Sequence, residues 1–248
     1  MNILVCISNV PDTTSKIEFT EDATAFKTDG IQFIINPYDE FGLTKAIKLR
    51  EVHGGKVTVA HVGLNTSEPT LRKALAIGAD DAIRVDIEPK DSFVVAKELS
   101  AIITQNKYDV VICGRESIDY NNGAVPAMIA ELLDLPFINA CIGLELEGST
   151  VKLEREIEGG KEKVNANLPI IIGGQKGLVE ESDLLIPNMR GIMTARTKPL
   201  TVVEGSSTGN KSLSISFEKP QAKQNCIMVE NGQEKELVTL LHQEAKVI

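Results

Sequence analysis

The sequence contains no tryptophan, only three tyrosines and seven phenylalanines, and four cysteines among its 248 residues. So few aromatic rings leave few platforms on which the bases of single-stranded nucleic acid could stack. Basic residues are outnumbered by acidic ones: the 26 Lys and Arg and the 35 Asp and Glu give a formal net charge of −9. A field of this sign opposes binding to a phosphate backbone. We therefore do not expect nucleic acid binding to be the function.

Signals for membranes, secretion and metals are missing as well. No apolar run approaches the roughly 20 residues that span a bilayer, and the segment Met1–Ile7 lacks the positive n-region of a signal peptide. No pair of cysteines has the spacing of a metal site or a redox motif. The cysteines are Cys6, Cys113, Cys141 and Cys226. These features predict a soluble cytoplasmic protein without a metal site.

The first 140 residues, together with one later run, alternate between two kinds of segment. Short apolar runs rich in branched residues are typical of strands buried on both faces, and they lie at Asn2–Ile7, Lys56–Val62, Ala82–Val85, Asp109–Cys113 and Leu168–Ile172. Segments with helical period lie between them, at Glu40–Val52, Glu68–Ile77, Ser92–Gln105 and Ala124–Leu133. This alternation predicts an α/β fold with three layers, in which helices cover both faces of a doubly wound, mostly parallel, Rossmann-like sheet.

The pattern changes after Pro136. Three runs are typical of antiparallel strands and predict a hairpin extension with a glycine turn; they are Cys141–Leu146, Thr150–Ile157 and Lys161–Asn167. The segment Leu178–Pro199 is predicted to be irregular, and Gly205–Gly209 to be a flexible linker. A strand-like run, Leu213–Phe217, and an amphipathic helix over Gln233–Lys246 follow. We therefore predict an α/β domain over residues 1–199 and, from Leu200 to the end (residues 200–248), a C-terminal arm that reaches onto another subunit.

The common enzyme motifs are absent: the sequence contains no Gly-x-Gly-x-x-Gly, no Walker loop and no His-Glu-x-x-His. Gly205–Gly209 matches Gly-x-Ser-x-Gly around Ser207, but a nucleophile elbow needs a buried strand before it and a helix after it. A strand-like run follows instead, so the linker interpretation is favoured. We expect no catalytic residues in this chain.

Three loops are candidates for a ligand site, because open α/β sheets bind ligands beyond the carboxyl ends of their strands. They are the loop after Ile7, the turn at residues 62–65 and the polar loop Gly114–Ala124. The third loop opens a helix, whose free N–H groups suit an anion such as a phosphate. Asn122 and Gly123 suit a plain helix cap equally well, so both interpretations stay open.

A second segment has two interpretations. Asn36, Pro37 and Asp39 fit a helix start, with Asn36 as the N-cap, proline at the first position and an acid in the first turn. A helix start does not explain the aromatic Tyr38, which would serve as a flat partner for a ring system.

Several motifs together resemble the beta subunit of electron transfer flavoproteins. The most specific is the hairpin Leu153–Gly160 followed by Leu168-Pro169; Asn36–Tyr38, Gly114–Asn122, Pro187-Asn188 and Gly191–Pro199 add to it. The resemblance covers the chain from Ile3 to the C-terminal helix. It implies an adenine nucleotide alpha hydrolase-like fold and a heterodimer with an alpha subunit that holds most of the FAD site.

The resemblance also implies a nucleotide within the beta subunit, AMP in carriers or a second FAD in electron-bifurcating members. Tyr38 matches an aromatic that approaches the flavin of the alpha subunit. The implied cofactor contacts are Cys6, Asn36, Pro37, Tyr38, Asp39, Val62, Gly114, Asp119, Asn121, Asn122, Gly123, Ala124 and Val125.

The resemblance further implies a carrier function. Electrons would pass from dehydrogenases, such as acyl-CoA dehydrogenases, through FAD to a quinone oxidoreductase or a similar acceptor. Ile186 matches an apolar anchor for the dehydrogenase, and a basic patch follows it. The implied docking residues are Leu185, Ile186, Pro187, Arg190, Met193, Arg196 and Lys198.

The polar loop departs from the family pattern. Gly123, Ala124 and Val125 stand where polar residues are common, Pro126 stands at a position often taken by glycine, and Tyr120 replaces a small or acidic residue. AMP, a second FAD and an empty nucleotide site therefore all stay open. The alternative, from a different functional class of protein, is a free-standing stress or signalling module that binds an adenine nucleotide. Such modules have a length of about 150 residues and carry a glycine-rich phosphate loop, which this sequence lacks.

Overall fold

The structure, a computed structural model, describes residues 1–206, 209–222 and 226–248. The strands in this part of the chain are β1 (Asn2–Cys6), β2 (Asn9–Pro11), β3 (Phe33–Ile35), β4 (Lys56–Val62), β5 (Asp81–Asp86), β6 (Val110–Gly114), β7 (Phe137–Glu147), β8 (Thr150–Ile157), β9 (Gly160–Asn167), β10 (Ile170–Gly174) and β11 (Leu200–Glu204). The helices are α1 (Pro37–His53), α2 (Glu68–Ile77), α3 (Ser92–Asn106), α4 (Ala124–Leu133), α5 (Met189–Ala195) and α6 (Glu234–Thr239).

The main sheet has the strand order β11-β5-β4-β1-β6-β10-β7-β8-β9. Successive residues of β1 point to opposite faces of this sheet, and Ile3, Leu4 and Val5 are fully buried. Ile3 and Val5 pack with Leu43 of α1 on one face, whereas Leu4 packs with Leu99 of α3 on the other. Helices thus cover both faces, and the predicted three-layer, doubly wound architecture is confirmed.

The hairpin extension is also confirmed. β7 pairs in parallel with β10 through its first residues and then antiparallel with β8, which in turn pairs antiparallel with β9. The turn between β8 and β9 holds Gly159 at a φ of 82°, a conformation that favours glycine. Four parallel strands, β4, β1, β6 and β10, stand side by side at the centre of the sheet.

The segment predicted to be irregular contains a helix, so that prediction is wrong in part. The side chain of Asn188 caps α5 by accepting a hydrogen bond from the N–H of Gly191. Ala195 is buried at the end of α5, which packs on α2. A helix of seven residues has too few turns to display a clear hydrophobic period, which is why the pattern does not reveal it.

The region around residue 200 differs from the sequence prediction. Leu200–Glu204 forms the edge strand β11, paired in parallel with β5, so the sheet continues five residues into the segment assigned to the arm. Leu213–Phe217 was expected to be strand-like and forms no strand. Ser207, the centre of the Gly-x-Ser-x-Gly match, lies outside the described residues.

The chain ends in the predicted amphipathic helix. α6 continues directly into a π-helical turn over Leu240–Glu244. Leu237 and Val238 are about half exposed on α6. Within the described residues, no helix combines the length and the hydropathy needed to cross a bilayer.

Candidate functional site

A cavity of about 290 Å³ opens at the carboxyl ends of the central strands. Most of the residues that the sequence nominated for cofactor binding line it, namely Cys6, Asp39, Val62, Gly114, Asp119, Asn122, Gly123, Ala124 and Val125. Asn36, Pro37, Tyr38 and Asn121 are not among the lining residues. The structure therefore brings the three predicted loops together around one space.

The sheet topology explains why these loops meet. β1 lies between β4 and β6 and is parallel to both. All three strands therefore end at the same edge, where Cys6, Val62 and Gly114 are the last residues of their strands. This edge is where open α/β sheets bind their ligands.

Asp39, in the first turn of α1, forms hydrogen bonds with the chain at the ends of β1 and β6. Its buried carboxylate accepts hydrogen bonds from the backbone N–H of Ser8, at 2.7 Å, and of Gly114, at 2.8 Å. Burial raises the pKa of Asp39 to about 7, and the hydrogen bonds oppose this rise only in part. Asp39 thus links the start of α1 to the chain just after β1 and to the end of β6.

Asn36 begins α1 as predicted, but its side chain does not cap the helix. Its amide nitrogen donates to the carbonyl of Glu116 at 2.9 Å, and its amide oxygen accepts from the N–H of Ile118 at 3.2 Å. The side chain is fully buried. Asn36 therefore holds the polar loop in place, a role that a helix-start motif does not reveal.

Gly114 occupies a position that admits no side chain. A Cβ atom there would lie 2.2 Å from Oδ1 of Asp39 and 2.9 Å from Cβ of Tyr38. The half-buried Tyr38 thus packs against the strand end from the α1 side. The close approach of α1 to β6 requires glycine at this point.

The N-terminus of α4 borders the cavity. Gly123 precedes the helix with a φ of 58°, and the N–H of Ala124 donates to the side chain of Asn122 at 3.3 Å. Pro126 carries no N–H in the first turn. The N–H of Val125 has no acceptor within the helix. Backbone N–H groups at this end are available to hold an anion.

The charged side chains around the cavity are mostly acidic. Asp39, Asp91, Glu116 and Asp119 line it together with one cation, Lys90. The N-terminal end of α4 adds a partial positive charge. The parts of the cavity that favour a phosphate are therefore confined to the start of α4 and the neighbourhood of Lys90.

Two thiols and an imidazole complete the inner wall. Hydrogen bonding to the Cys6 thiol, together with burial, holds the pKa of Cys113 well above its ordinary value. Burial lowers the pKa of His61, whose Nδ1 lies 2.8 Å from the carbonyl oxygen of Ile7. Nδ1 must carry the proton to donate to that carbonyl. Cys113 and His61 are therefore neutral near pH 7.

Sequence reasoning missed several lining residues. They include Ser8, His61, Asp91, Ser92, Ser212 and Ser214. Ser8 and His61 adjoin strand ends that were identified, so a wider window around each end would have included them. Asp91 stands just before a predicted helix, as an N-cap does. No local signal links Ser212 and Ser214 to a site more than a hundred residues away.

We predict that Asn36→Ala loosens the polar loop. The substitution leaves the carbonyl of Glu116 and the N–H of Ile118 without partners, and we expect the free energy of unfolding to fall by about 3 kcal/mol. Urea unfolding measures this change. The control is Asn106→Ala at an exposed residue, which removes a part-buried bond to the carbonyl of Ile102 and is expected to cost no more than about 0.5 kcal/mol. Equal losses in the two variants would contradict the role of Asn36.

The nominated docking segment exposes apolar side chains next to α5. Ile186 is 79% exposed and Met193 is 69% exposed. Leu185 is instead held against α1, where its N–H donates to Oγ1 of Thr44. Arg190 and Arg196 are exposed. A second cavity, of about 560 Å³, lies between α2 and this segment.

Lys198 differs from the other residues nominated for docking. Its ammonium group donates to the carbonyls of Leu75, at 2.9 Å, and of Ala79, at 2.6 Å. Positive charge at the C-terminal end of a helix such as α2 is favourable. The charge of Lys198 is therefore engaged within the chain.

Comparisons with known proteins agree on one family. A family model described as an electron transfer flavoprotein domain matches residues 24–208. The electron transfer flavoprotein subunit beta of Bacillus subtilis (strain 168) is 35% identical over 262 residues, which cover 100% of both chains. The subunit beta of Thermoanaerobacterium thermosaccharolyticum is 37% identical over 201 residues, covering 80% of this chain and 76% of its own. The human subunit beta is 31% identical over 244 residues, covering 94% of each chain.

These matches extend over the sheet, the cavity and the segment around α5. The residues that the family model matches include Asn36, Gly114 and the β8–β9 hairpin. The chain therefore belongs to the family of electron transfer flavoprotein beta subunits.

Proposed function

We propose that this chain is the beta subunit of a heterodimeric carrier, which accepts electrons from dehydrogenases such as acyl-CoA dehydrogenases and delivers them to a quinone oxidoreductase or a similar acceptor. The chemistry is that of FAD, which is held mainly by the alpha subunit and takes up and releases the electrons. This chain helps to position the FAD and supplies an interface for the partner proteins. We expect the heterodimer to act in the cytoplasm. The observation that carries the proposal is the cavity at the strand ends in a chain of this family.

The cavity in this chain holds AMP. Its volume of about 290 Å³ lies at the lower limit of small-molecule sites, which span roughly 300–1,000 Å³. A dinucleotide such as FAD needs more space, because it adds a second nucleotide half and a three-ring system. The volume therefore favours AMP over the second FAD of a bifurcating complex.

The chain's own groups fit a nucleotide in a definite direction. The phosphate lies at the N-terminus of α4, where the N–H of Val125 is free for an anion. Neighbouring strands are about 4.8 Å apart, so β4 lies two spacings, or about 10 Å, from β6. The base and ribose therefore lie toward Cys6 and Val62. The close packing of Gly114 against Asp39 fixes the start of α1 against this edge.

The arm contacts the alpha subunit. Apolar side chains are exposed along its described part, at Leu213, Ile215, Ile227, Met228, Leu237, Val238, Val247 and Ile248. An exposed apolar surface of this extent is typical of a protein interface. Ile186 and Met193, which lie next to and on α5, form a separate apolar surface, which serves the electron-donating dehydrogenase.

Co-expression with an alpha subunit tests this function. We expect a stable heterodimer that purifies with the absorption spectrum of flavin, and that is reduced by an acyl-CoA dehydrogenase with its substrate. A chain that stays alone and never acquires flavin with any alpha subunit would contradict the proposal.

We predict that the double variant Leu237→Ser, Val238→Ser weakens the heterodimer at least tenfold. These side chains are 45% and 55% exposed on α6, so serine removes apolar contact area without opening the core. The dissociation constant of the heterodimer, measured by titration with the alpha subunit, reports the effect. The control is Val52→Ser at the end of α1, where valine is 76% exposed. Equal affinity in all three proteins would contradict a role for α6 in the interface.

A further inference from the structure

The segment Lys211–Ser214, named here the strap, lies at the mouth of the cavity although it belongs to the C-terminal arm. Ser212 and Ser214 both line the cavity. The residue between them, Leu213, is 74% exposed and points away from it. An extended chain that alternates in this way turns its hydroxyl groups toward the cavity.

Asp91 holds the strap. Its Oδ2 accepts hydrogen bonds from the backbone N–H of Lys211, at 2.6 Å, from the backbone N–H of Ser212, at 2.8 Å, and from the hydroxyl of Ser212, at 3.3 Å. Its other oxygen, Oδ1, caps α3 by accepting from the N–H of Val94 at 2.8 Å. Hydrogen bonds from backbone N–H groups to a carboxylate are among the stronger ones in proteins. One side chain therefore joins the strap to the helix that forms the cavity wall.

The arm is fastened on both sides of the strap. Before it, the N–H of Ser206 donates to the buried carboxylate of Glu98 on α3. After it, Phe217 stacks on Phe19, with ring centroids 5.2 Å apart, and its N–H donates to the carbonyl of Ala23. The strap thus lies across the cavity between two fixed points, and Asp91 holds it down between them.

We propose that the strap is part of the nucleotide site and that Asp91, as a positioning residue, keeps it closed over the bound nucleotide. This inference rests on the proposed function, because it takes the ligand of the cavity to be AMP. Ser212 and Ser214 contact the ligand, and the ligand leaves only when the strap lifts from Asp91. The arm, which faces the alpha subunit elsewhere, therefore governs nucleotide retention.

Asp91→Asn separates the two roles of this carboxylate. Asparagine caps helices as well as aspartate does, so α3 keeps its cap, but an amide NH₂ in the place of Oδ2 cannot accept the three strap bonds. Ser212→Pro removes two strap donors, the N–H and the hydroxyl of Ser212, from the opposite side of the same contact. Asp109→Asn is the control, because Asp109 also accepts a backbone N–H, from Asn2, at the far end of the sheet.

The heterodimer of each variant is loaded with radiolabelled AMP. An excess of unlabelled AMP is then added, and the release of the label is followed over time. We expect Asp91→Asn and Ser212→Pro to release AMP at least tenfold faster than the wild type, and Asp109→Asn to release it at the wild-type rate. In hydrogen exchange, the amides of Lys211 and Ser212 should exchange faster in Asp91→Asn while the urea midpoint stays unchanged.

Two results overturn the proposal, and they differ from each other. If the wild type holds one AMP and both strap variants release it within twofold of the wild-type rate, the strap is no part of the site and the proposed function stands. If the wild-type heterodimer holds no AMP, the nucleotide in the proposed function fails and the strap proposal fails with it.

Discussion

Gly114→Ala should abolish AMP retention and lower the free energy of unfolding by about 3 kcal/mol, near the upper end of the usual cost of overpacking. The added methyl group would lie 2.2 Å from Oδ1 of Asp39 and 3.0 Å from Nδ2 of Asn36. Neither side chain can retreat, because Asp39 holds the N–H of Ser8 and Asn36 holds the polar loop. The strand end, the loop and the start of α1 would all have to shift.

Equilibrium dialysis with AMP and urea unfolding measure the two effects of Gly114→Ala. Gly160→Ala is the matched control, because a Cβ atom at Gly160 would meet nothing within 4 Å. We expect it to leave both quantities unchanged. A Gly114→Ala protein that binds AMP with wild-type affinity would mean that the approach of α1 to β6 does not shape the site.

Asp39→Asn should remove a pH dependence of stability between about pH 4 and pH 7. Because burial raises the pKa of Asp39 from 3.8 to about 7, the folded chain holds a proton in this window that the unfolded chain has released. The stabilisation that comes from this proton is fully present below pH 3.8, declines as the pH rises, and is gone above about pH 7. The free energy of unfolding of the wild type, relative to Asp39→Asn, should therefore fall by about 1 kcal/mol per pH unit across the window.

Urea unfolding of both proteins at several values between pH 5 and pH 8 gives this difference directly. Asp22→Asn is the control, since hydrogen bonding from Thr20 lowers the pKa of Asp22 and places its titration below the window. The difference between the wild type and Asp22→Asn should therefore stay level. A level difference for Asp39→Asn as well would show that Asp39 is ionised in the folded chain throughout.

The parts of the site that are strand ends could be predicted from the sequence. Cys6, Val62 and Gly114 lie at or next to the ends of the predicted apolar runs, and parallel strands must end at the same edge. The polar loop was identifiable because it joins such a strand to a helix. The hairpin was identifiable from its glycine turn.

The contacts that hold these parts in place could not be predicted, because they join residues distant in sequence. Asn36 has every property of an N-cap, yet its side chain bonds a loop 80 residues away. Asp91 bonds the N–H of Ser212 across 121 residues. A local pattern records which residue suits a helix start, but it does not record which other segment competes for the same side chain. The short α5 and the edge strand β11 were missed because a brief segment is fixed mainly by packing on its neighbours.

The most direct test of the nucleotide site is a count of the nucleotides released when the purified heterodimer is denatured. Chromatography separates and quantifies FAD and AMP. We predict one FAD and one AMP per heterodimer, as a cavity of about 290 Å³ favours a single mononucleotide. Two FAD without AMP, or one FAD and no second nucleotide, would contradict this prediction.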